Sequence, residues 1–252
     1  MANSNSWLKI FEDNKILEHD FSKSPFYLSA NDIKKSVQNF INTAEKEVRI
    51  LCKMDTRESL PDIMKQNGLI LLPVKNGYYV IVKGEGYLDI PEIIGDAELY
   101  NTKLDFDLDT SKIGNSEMQH LDFAYASSLI RTFMNDPSLV LTIRGRKYTP
   151  QFSYRIGENS IETEGVQTEV DAGYEGKDKI VLIEAKNSST KNTIIRQLYY
   201  PYRQWSEHTA KKVFLLFFEK RIDEYLIWQY EFTDKNDYNS IVLSKSKKYK
   251  II

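Results

Sequence analysis

The sequence predicts an α/β protein in two unequal parts: a smaller α+β region over residues 1–110, then a larger domain over residues 111–252 with helices on both faces of a sheet. Three observations carry this reading. Near the N-terminus, apolar positions at helical spacing give way to two β-rich runs joined by Lys75-Asn76-Gly77. After a helix-patterned stretch from Ser116 to Met134, the pattern changes to a series of strands. One of these, Ile180-Val181-Leu182-Ile183, is apolar at both parities, as a central strand covered on both faces must be.

In chain order, Asp32 to Leu51 reads as a helix with an apolar stripe of Val37, Phe40, Ile41, Ala44 and Val48. Glu58 to Gln66 reads as a second helix, stopped by Asn67-Gly68, and the following LILLPVKNGYYVIVKG reads as a hairpin turning at Asn76-Gly77. Helix, helix, hairpin is the order of a winged helix. Ser116 is the expected N-cap of the long helix, and Asn135-Asp136-Pro137 its stop. Strands are then expected in LVLTIRGRKYTPQFSYRIG, SIETEGVQTEVDAGYEG and KIVLIEAK, a helix from Thr190 to His208, and strands at VFLLFF and EYLIWQYEF.

With 41% hydrophobic residues, a chain of 252 can bury a large core. The single cysteine, Cys52, excludes an internal disulfide framework and a cysteine-rich zinc cluster, so a reducing, cytoplasmic setting is expected. No apolar run approaches the roughly 18 residues of a membrane span, and the first residues lack the apolar core of an export signal. The net charge of −2 gives no global sign of a polyanion partner, but the charge is uneven. Ten acids face two lysines between Glu85 and Asp122, whereas thirteen Lys or Arg face seven acids from Lys186 onward. His19, His120 and His208 are isolated and there is no phosphate-cradling Gly-Lys-Ser/Thr loop, so neither a histidine-based nuclease nor a nucleotide-driven enzyme has its motif.

Chemistry concentrates where the apolar strand runs into Glu184-Ala185-Lys186. Side chains alternate along a strand, so Glu184 and Lys186 share a face. The preceding run, GVQTEVDAGYE, returns through Gly176-Lys177-Asp178 and makes a hairpin with it. If that turn centres between Lys177 and Asp178, Asp171 stands opposite Glu184; if it centres one residue earlier, Glu169 takes that place. Two converging carboxylates and an adjacent lysine supply what phosphodiester hydrolysis needs: hard oxygen ligands for Mg²⁺, with Mn²⁺ as a substitute, and a cation beside the attacked phosphate.

Asp171 with Glu184-Ala185-Lys186 resembles the motif of the PD-(D/E)XK nucleases, which include many type II restriction endonucleases. The resemblance covers about residues 115–235, and Val170 stands where the family motif has proline. It implies a mixed-sheet restriction-endonuclease-like core in which Asp171 and Glu184 bind Mg²⁺, joined by the Ala185 carbonyl, while Lys186 orients or activates water. It also implies cleavage of double-stranded DNA to 5′-phosphate ends, a homodimer reading a symmetric site, and a cognate DNA methyltransferase as the partner activity. A repair or junction-resolving nuclease, or a non-catalytic DNA-binding regulator that keeps the fold, stays open beside it.

Further residues are assigned partly from the resemblance and partly from their own chemistry and position. Glu117, at the start of the long helix, either brings another acid to the site or complements the helix N-terminus. Gln197 follows on the next helix; RecB-like members carry a Gln and a Tyr four residues later, but here Pro201 fills that place between Tyr200 and Tyr202. Arg144, Arg146 and Lys147 around Gly145, together with Arg196, are read as DNA contacts, and Lys65 with Gln66 as base-reading residues of the winged-helix-like region, for which a dimerisation or purely structural role stays equally open.

Overall fold

A computed structural model describes residues 4–252. The N-terminal region is built from α1 (Ser4–Asp13), β1 (Phe26–Ser29), α2 (Ala30–Val37), α3 (Thr43–Lys46), α4 (Val48–Leu51), α5 (Asp62–Asn67), β2 (Leu69–Lys75) and β3 (Tyr78–Lys83). Its sheet is antiparallel in the order β1-β3-β2. The hairpin turns where Asn76-Gly77 predicts, with Gly77 at φ 76°, a conformation glycine reaches without strain. The single helix expected from Asp32 to Leu51 is instead three short ones. Ser29 caps α2 reciprocally with Asp32, but the chain leaves the helix after Val37 and re-enters helix only at Thr43, behind an extended Asn42. Ile41, assigned to the apolar stripe, is 87% exposed in that connection. The second helix starts only at Asp62, after Pro61, and stops at Gly68 in the left-handed conformation.

The rest of the chain forms β4 (Tyr87–Asp89), β5 (Glu98–Tyr100), α6 (Glu117–Ala126), α7 (Leu129–Phe133), β6 (Val140–Tyr148), β7 (Phe152–Ile156), β8 (Asn159–Thr163), β9 (Gln167–Glu175), β10 (Lys179–Lys186), β11 (Asn192–Ile194), α8 (Arg196–His208), β12 (Lys212–Arg221), β13 (Glu224–Phe232) and β14 (Ile241–Ile251). The fold is mixed α/β. Seven strands make one mixed sheet in the order β5-β14-β13-β12-β10-β9-β6, with β10 and β12 parallel. Two small sheets pair β4 with β11 and β7 with β8. The Ser116–Met134 helix has the expected Ser116 cap but breaks at Ser128, which takes φ 67°. The Thr190–His208 helix begins only at Arg196, because Asn192, Thr193 and Ile194 pair with β4.

Strand alternation sorts the large sheet between two cores, as predicted for a sheet covered on both faces. Ile180, Leu182, Leu215, Phe217, Leu226 and Trp228 face a core completed by α8 and the N-terminal region. Val181, Ile183, Ala185, Leu216, Phe218 and Ile227 face the other, closed by α6 and α7. The first core is continuous from Trp7 in α1 to Tyr238, so the N-terminal region packs into the same apolar interior as one face of the sheet. A buried hydroxyl chain ties them further: Tyr200 of α8 donates to the Pro73 carbonyl of β2 (2.8 Å) and meets the Tyr154 hydroxyl (2.7 Å). No helix among the described residues is long and apolar enough to cross a membrane.

Candidate metal centre

The β9–β10 hairpin decides which acid faces Glu184. Gly176 N–H donates to the Lys179 carbonyl (2.9 Å), so Lys177-Asp178 is a two-residue turn. The ladder then runs Ile180↔Glu175, Val181↔Tyr174, Leu182↔Gly173 and Ile183↔Ala172. Its next step is Glu184 opposite Asp171, the first of the two registers. A side chain at Gly176 would bring its Cβ within 2.5 Å of an Asp136 carboxylate oxygen, so glycine lets the turn sit against that loop.

Pairing ends there. Instead of continuing the ladder, Asp171 accepts the Ala185 N–H on its own carboxylate (2.8 Å). The alternation of β9 also breaks at this point: Val170 packs into one core while Ala172 and Tyr174 pack into the other. The cause is a bulge in the β6–β9 pairing, where Gly173 faces Ile143 but Val170 already faces Gly145. Gly145 takes φ 78° at this irregularity, a conformation that glycine reaches without strain.

Asp171, Glu184 and Lys186 line an open cleft of about 260 Å³ with Glu117, Glu169, Arg196, Gln197, Tyr200 and Pro201. Thus Asp171, Glu184, Lys186, Glu117, Gln197 and Arg196, assigned from distant parts of the sequence, come together. Glu184 is 8% exposed, and burial pushes its carboxyl up to about 7; Lys186, in direct contact, pulls the other way, while Asp171 and Glu117 add to the rise. Asp171 is raised too, by burial first, against the Ala185 N–H and the Lys186 charge. Burial acts to lower Lys186, but the Glu184 charge and hydrogen bond outweigh it and the ammonium is held above its ordinary value.

Other assigned residues lie at the margin or away. Arg146 pairs with Glu169 (3.3 Å) and Arg144 with Asp122, while Lys147 is exposed on the same edge strand. Lys65 is held by the Glu58 carbonyl (3.1 Å) and Asp62 (3.8 Å), and neither it nor Gln66 lines the cleft. Gln197 accepts a hydrogen bond from Thr193 (2.6 Å). Pro201 lacks the N–H that would bond the Gln197 carbonyl one turn back, so its ring forms cleft wall where the RecB-like pattern has tyrosine. Four lining residues went unassigned in the sequence: Gln167, Thr168, Tyr200 and Pro201. The first two had a signal, since they share β9 with Asp171; Tyr200 had none beyond its place beside Pro201.

A family model described as "Domain of unknown function (DUF6997)" matches residues 82–250, more than half the chain. The chain belongs to this family. A second, "Domain of unknown function (DUF6996)", matches residues 4–81, so the two matches meet inside β3. No curated protein and no solved structure matches the chain.

Among the described residues, no three His, Cys, Asp or Glu side chains form a ready-made metal cage. The donors at the cleft nonetheless suit a hard divalent ion. Asp171 and Glu184 are oxygen donors on adjacent strands, and Glu184 is buried with too little positive charge around it to ionise at its ordinary value. Magnesium takes few protein ligands and keeps several waters, so two carboxylates with the Ala185 carbonyl form an adequate set.

Proposed function

We propose that the chain is a magnesium-dependent deoxyribonuclease of the PD-(D/E)XK type, with a restriction-endonuclease-like core that acts as a type II site-specific endonuclease on double-stranded DNA. The observation that carries the reading is the hairpin register that sets Asp171 opposite Glu184 with Lys186 in the same cleft. Asp171, Glu184 and the Ala185 carbonyl would hold Mg²⁺ or Mn²⁺, which when bound supplies Lewis-acid stabilisation of phosphoryl charge.

The chain's own groups divide the remaining work. Lys186, held above its ordinary pKa, stays protonated at neutral pH, so it serves as a cation and hydrogen-bond donor to the attacking water and a phosphate oxygen rather than as a general base. Asp171 is held by the Ala185 N–H, which fixes its carboxylate at the end of the ladder. Arg196 and Gln197 offer donors on the α8 side of the cleft.

The N-terminal order α1-β1-α2-α3-α4-α5-β2-β3, with β1 beside β3, supports a winged-helix-like reading of that region in which the short α3 and α4 are insertions between its helices. A homodimer and a cognate methyltransferase belong to the same proposal. The direct Glu184–Lys186 ion pair favours one competing reading, a DNA-binding regulator in which that pair is purely structural.

Incubation of a defined plasmid with Mg²⁺, followed by end mapping, separates these readings. Wild type should cut to 5′-phosphate ends, and Glu184→Ala and Lys186→Ala should lower cleavage by at least about 10²-fold while circular dichroism stays unchanged. A folded Glu184→Ala, Lys186→Ala double variant that cuts at the wild-type rate, or full activity in excess EDTA, would remove the proposal.

A further inference from the structure

A second and larger groove, of about 540 Å³, opens between the N-terminal region and the sheet domain. It shares Gln167 and Arg196 with the carboxylate cleft, so the two recesses are continuous. Its charge is the reverse of the cleft's. Lys34, Arg49, Lys53, Lys75 and Arg196 line it against only Glu47 and Asp55. Asp55 is engaged with Lys53 (3.6 Å) and Arg196 (3.9 Å). Lys34, Arg49 and Lys75 are exposed and form no ion pair among the described residues. Between the cations the floor is apolar, with Leu71, Val166 and Ile194 beside the half-buried ring of Tyr79.

We infer that this groove carries the phosphodiester backbone of the nucleic acid into the cleft, with Lys34, Arg49 and Lys75 as phosphate contacts. The inference rests on the nuclease reading of the cleft. It moves the DNA-facing side of the N-terminal region from Lys65 and Gln66 on α5 to α2, α4 and the β2–β3 hairpin tip. Several features fit a polyanion of regular charge spacing. The unpaired cations come from three separate elements, so they form a track rather than one pocket. The track runs into Gln167 and Arg196, which both recesses share. Arg196 stands at the junction, where a backbone leaving the cations would meet the carboxylates. An apolar floor between cations suits the sugar and base edges of a strand.

Phosphate contacts have a thermodynamic signature that purely structural residues lack, because each one releases condensed counterions. The logarithm of affinity then falls with the logarithm of salt concentration by about 0.9 per contact on duplex DNA. The Lys34→Ala, Arg49→Ala, Lys75→Ala variant should therefore lower that slope by about 2 to 3. The measurement is fluorescence anisotropy with a labelled duplex in Ca²⁺ without Mg²⁺, over a salt series. A control variant removes three exposed lysines outside the groove, Lys15, Lys23 and Lys247, and should leave the slope at its wild-type value. A Lys34→Gln, Arg49→Gln, Lys75→Gln variant repeats the test should the alanines disturb folding.

A slope equal to wild type in both groove variants would overturn the inference, as would an equal drop in the control. So would loss of binding to a polyglutamate peptide in the groove variants with unchanged DNA binding, which would assign the groove to an acidic protein. Wild-type chain that binds DNA with the expected slope change but never cuts it would remove the nuclease reading while leaving the groove as a DNA site. Cleavage with an unchanged slope would do the opposite.

Discussion

Replacing Glu184 with glutamine in metal-free protein isolates the electrostatic core of the site. The Glu184 carboxyl is raised from 4.5 to about 7. Because the folded state holds this proton more tightly than the unfolded chain, folding is favoured below about pH 4.5, and that favour is lost as pH rises through about 7. A shift of this size corresponds to about 3 kcal/mol across the interval, at roughly 1.4 kcal/mol per unit. Glutamine has the same shape and no titration, so urea denaturation in EDTA at pH 5 and pH 8, which span most of the titration, should show a wild-type loss larger than the variant's by about 2–3 kcal/mol. The same proton opposes cation binding. With a carboxyl at about 7, the ionised fraction rises about 30-fold from pH 5.5 to pH 8, and stabilisation by Ca²⁺ should appear over that range in wild type and be absent in Glu184→Gln. Identical pH dependence of stability in the two proteins, or calcium stabilisation that persists in the variant, would refute the reasoning.

Two more outcomes follow from the packing around the cleft. Tyr200→Phe removes the donor to the Pro73 carbonyl and the partner of Tyr154, leaving buried groups unpaired where α8 meets β2; a loss of about 1–3 kcal/mol is expected, read as a fall of about 2–10 °C in Tm. An unchanged Tm would mean that the hydroxyl chain does not hold the two regions together. Lys65→Ala combined with Gln66→Ala should leave the cleavage rate and the specific-to-nonspecific binding ratio unchanged, because neither residue lines the cleft and Lys65 is spent on Glu58 and Asp62. A fall in that ratio, measured in Ca²⁺ at fixed salt, would return base reading to α5.

Much of the architecture is encoded locally. The apolar β10 run, the Asn76-Gly77 turn, the Ser116 cap and the Gly68 stop follow from side-chain alternation, turn chemistry and capping, each acting over a few residues. Helix lengths are not encoded that way. Asp32–Leu51 and Ser116–Met134 carry continuous apolar stripes, yet they break after Val37 and at Ser128, where the chain must turn onto a core that the stripe does not describe. β11 is the sharper case, since Asn192–Ile194 become a strand only because β4, about a hundred residues earlier, offers an edge to pair with. Nor is β14 apparent in its sequence, which passes from three apolar residues into a run of serines and lysines on a strand that is largely exposed.

The site divides in the same manner. By itself the sequence determined that Glu184 and Lys186 share a face at the end of a buried strand and that an acid faces them across a hairpin, because period-two alternation and a nearby turn require nothing distant. It left Asp171 and Glu169 open for a physical reason: moving the turn by one residue keeps every side chain on its own face, so hydrophobic patterning cannot tell the registers apart. Only the tertiary structure chose, through the Gly176–Lys179 turn seated against Asp136, and through the bulge that ends the ladder at Asp171. It alone also brought Glu117, Arg196 and Gln197 to the same cleft and opened the basic groove beside it, since such neighbours are set by how helices and the N-terminal region pack on the sheet, and residues far apart in the chain carry no local sign of that meeting.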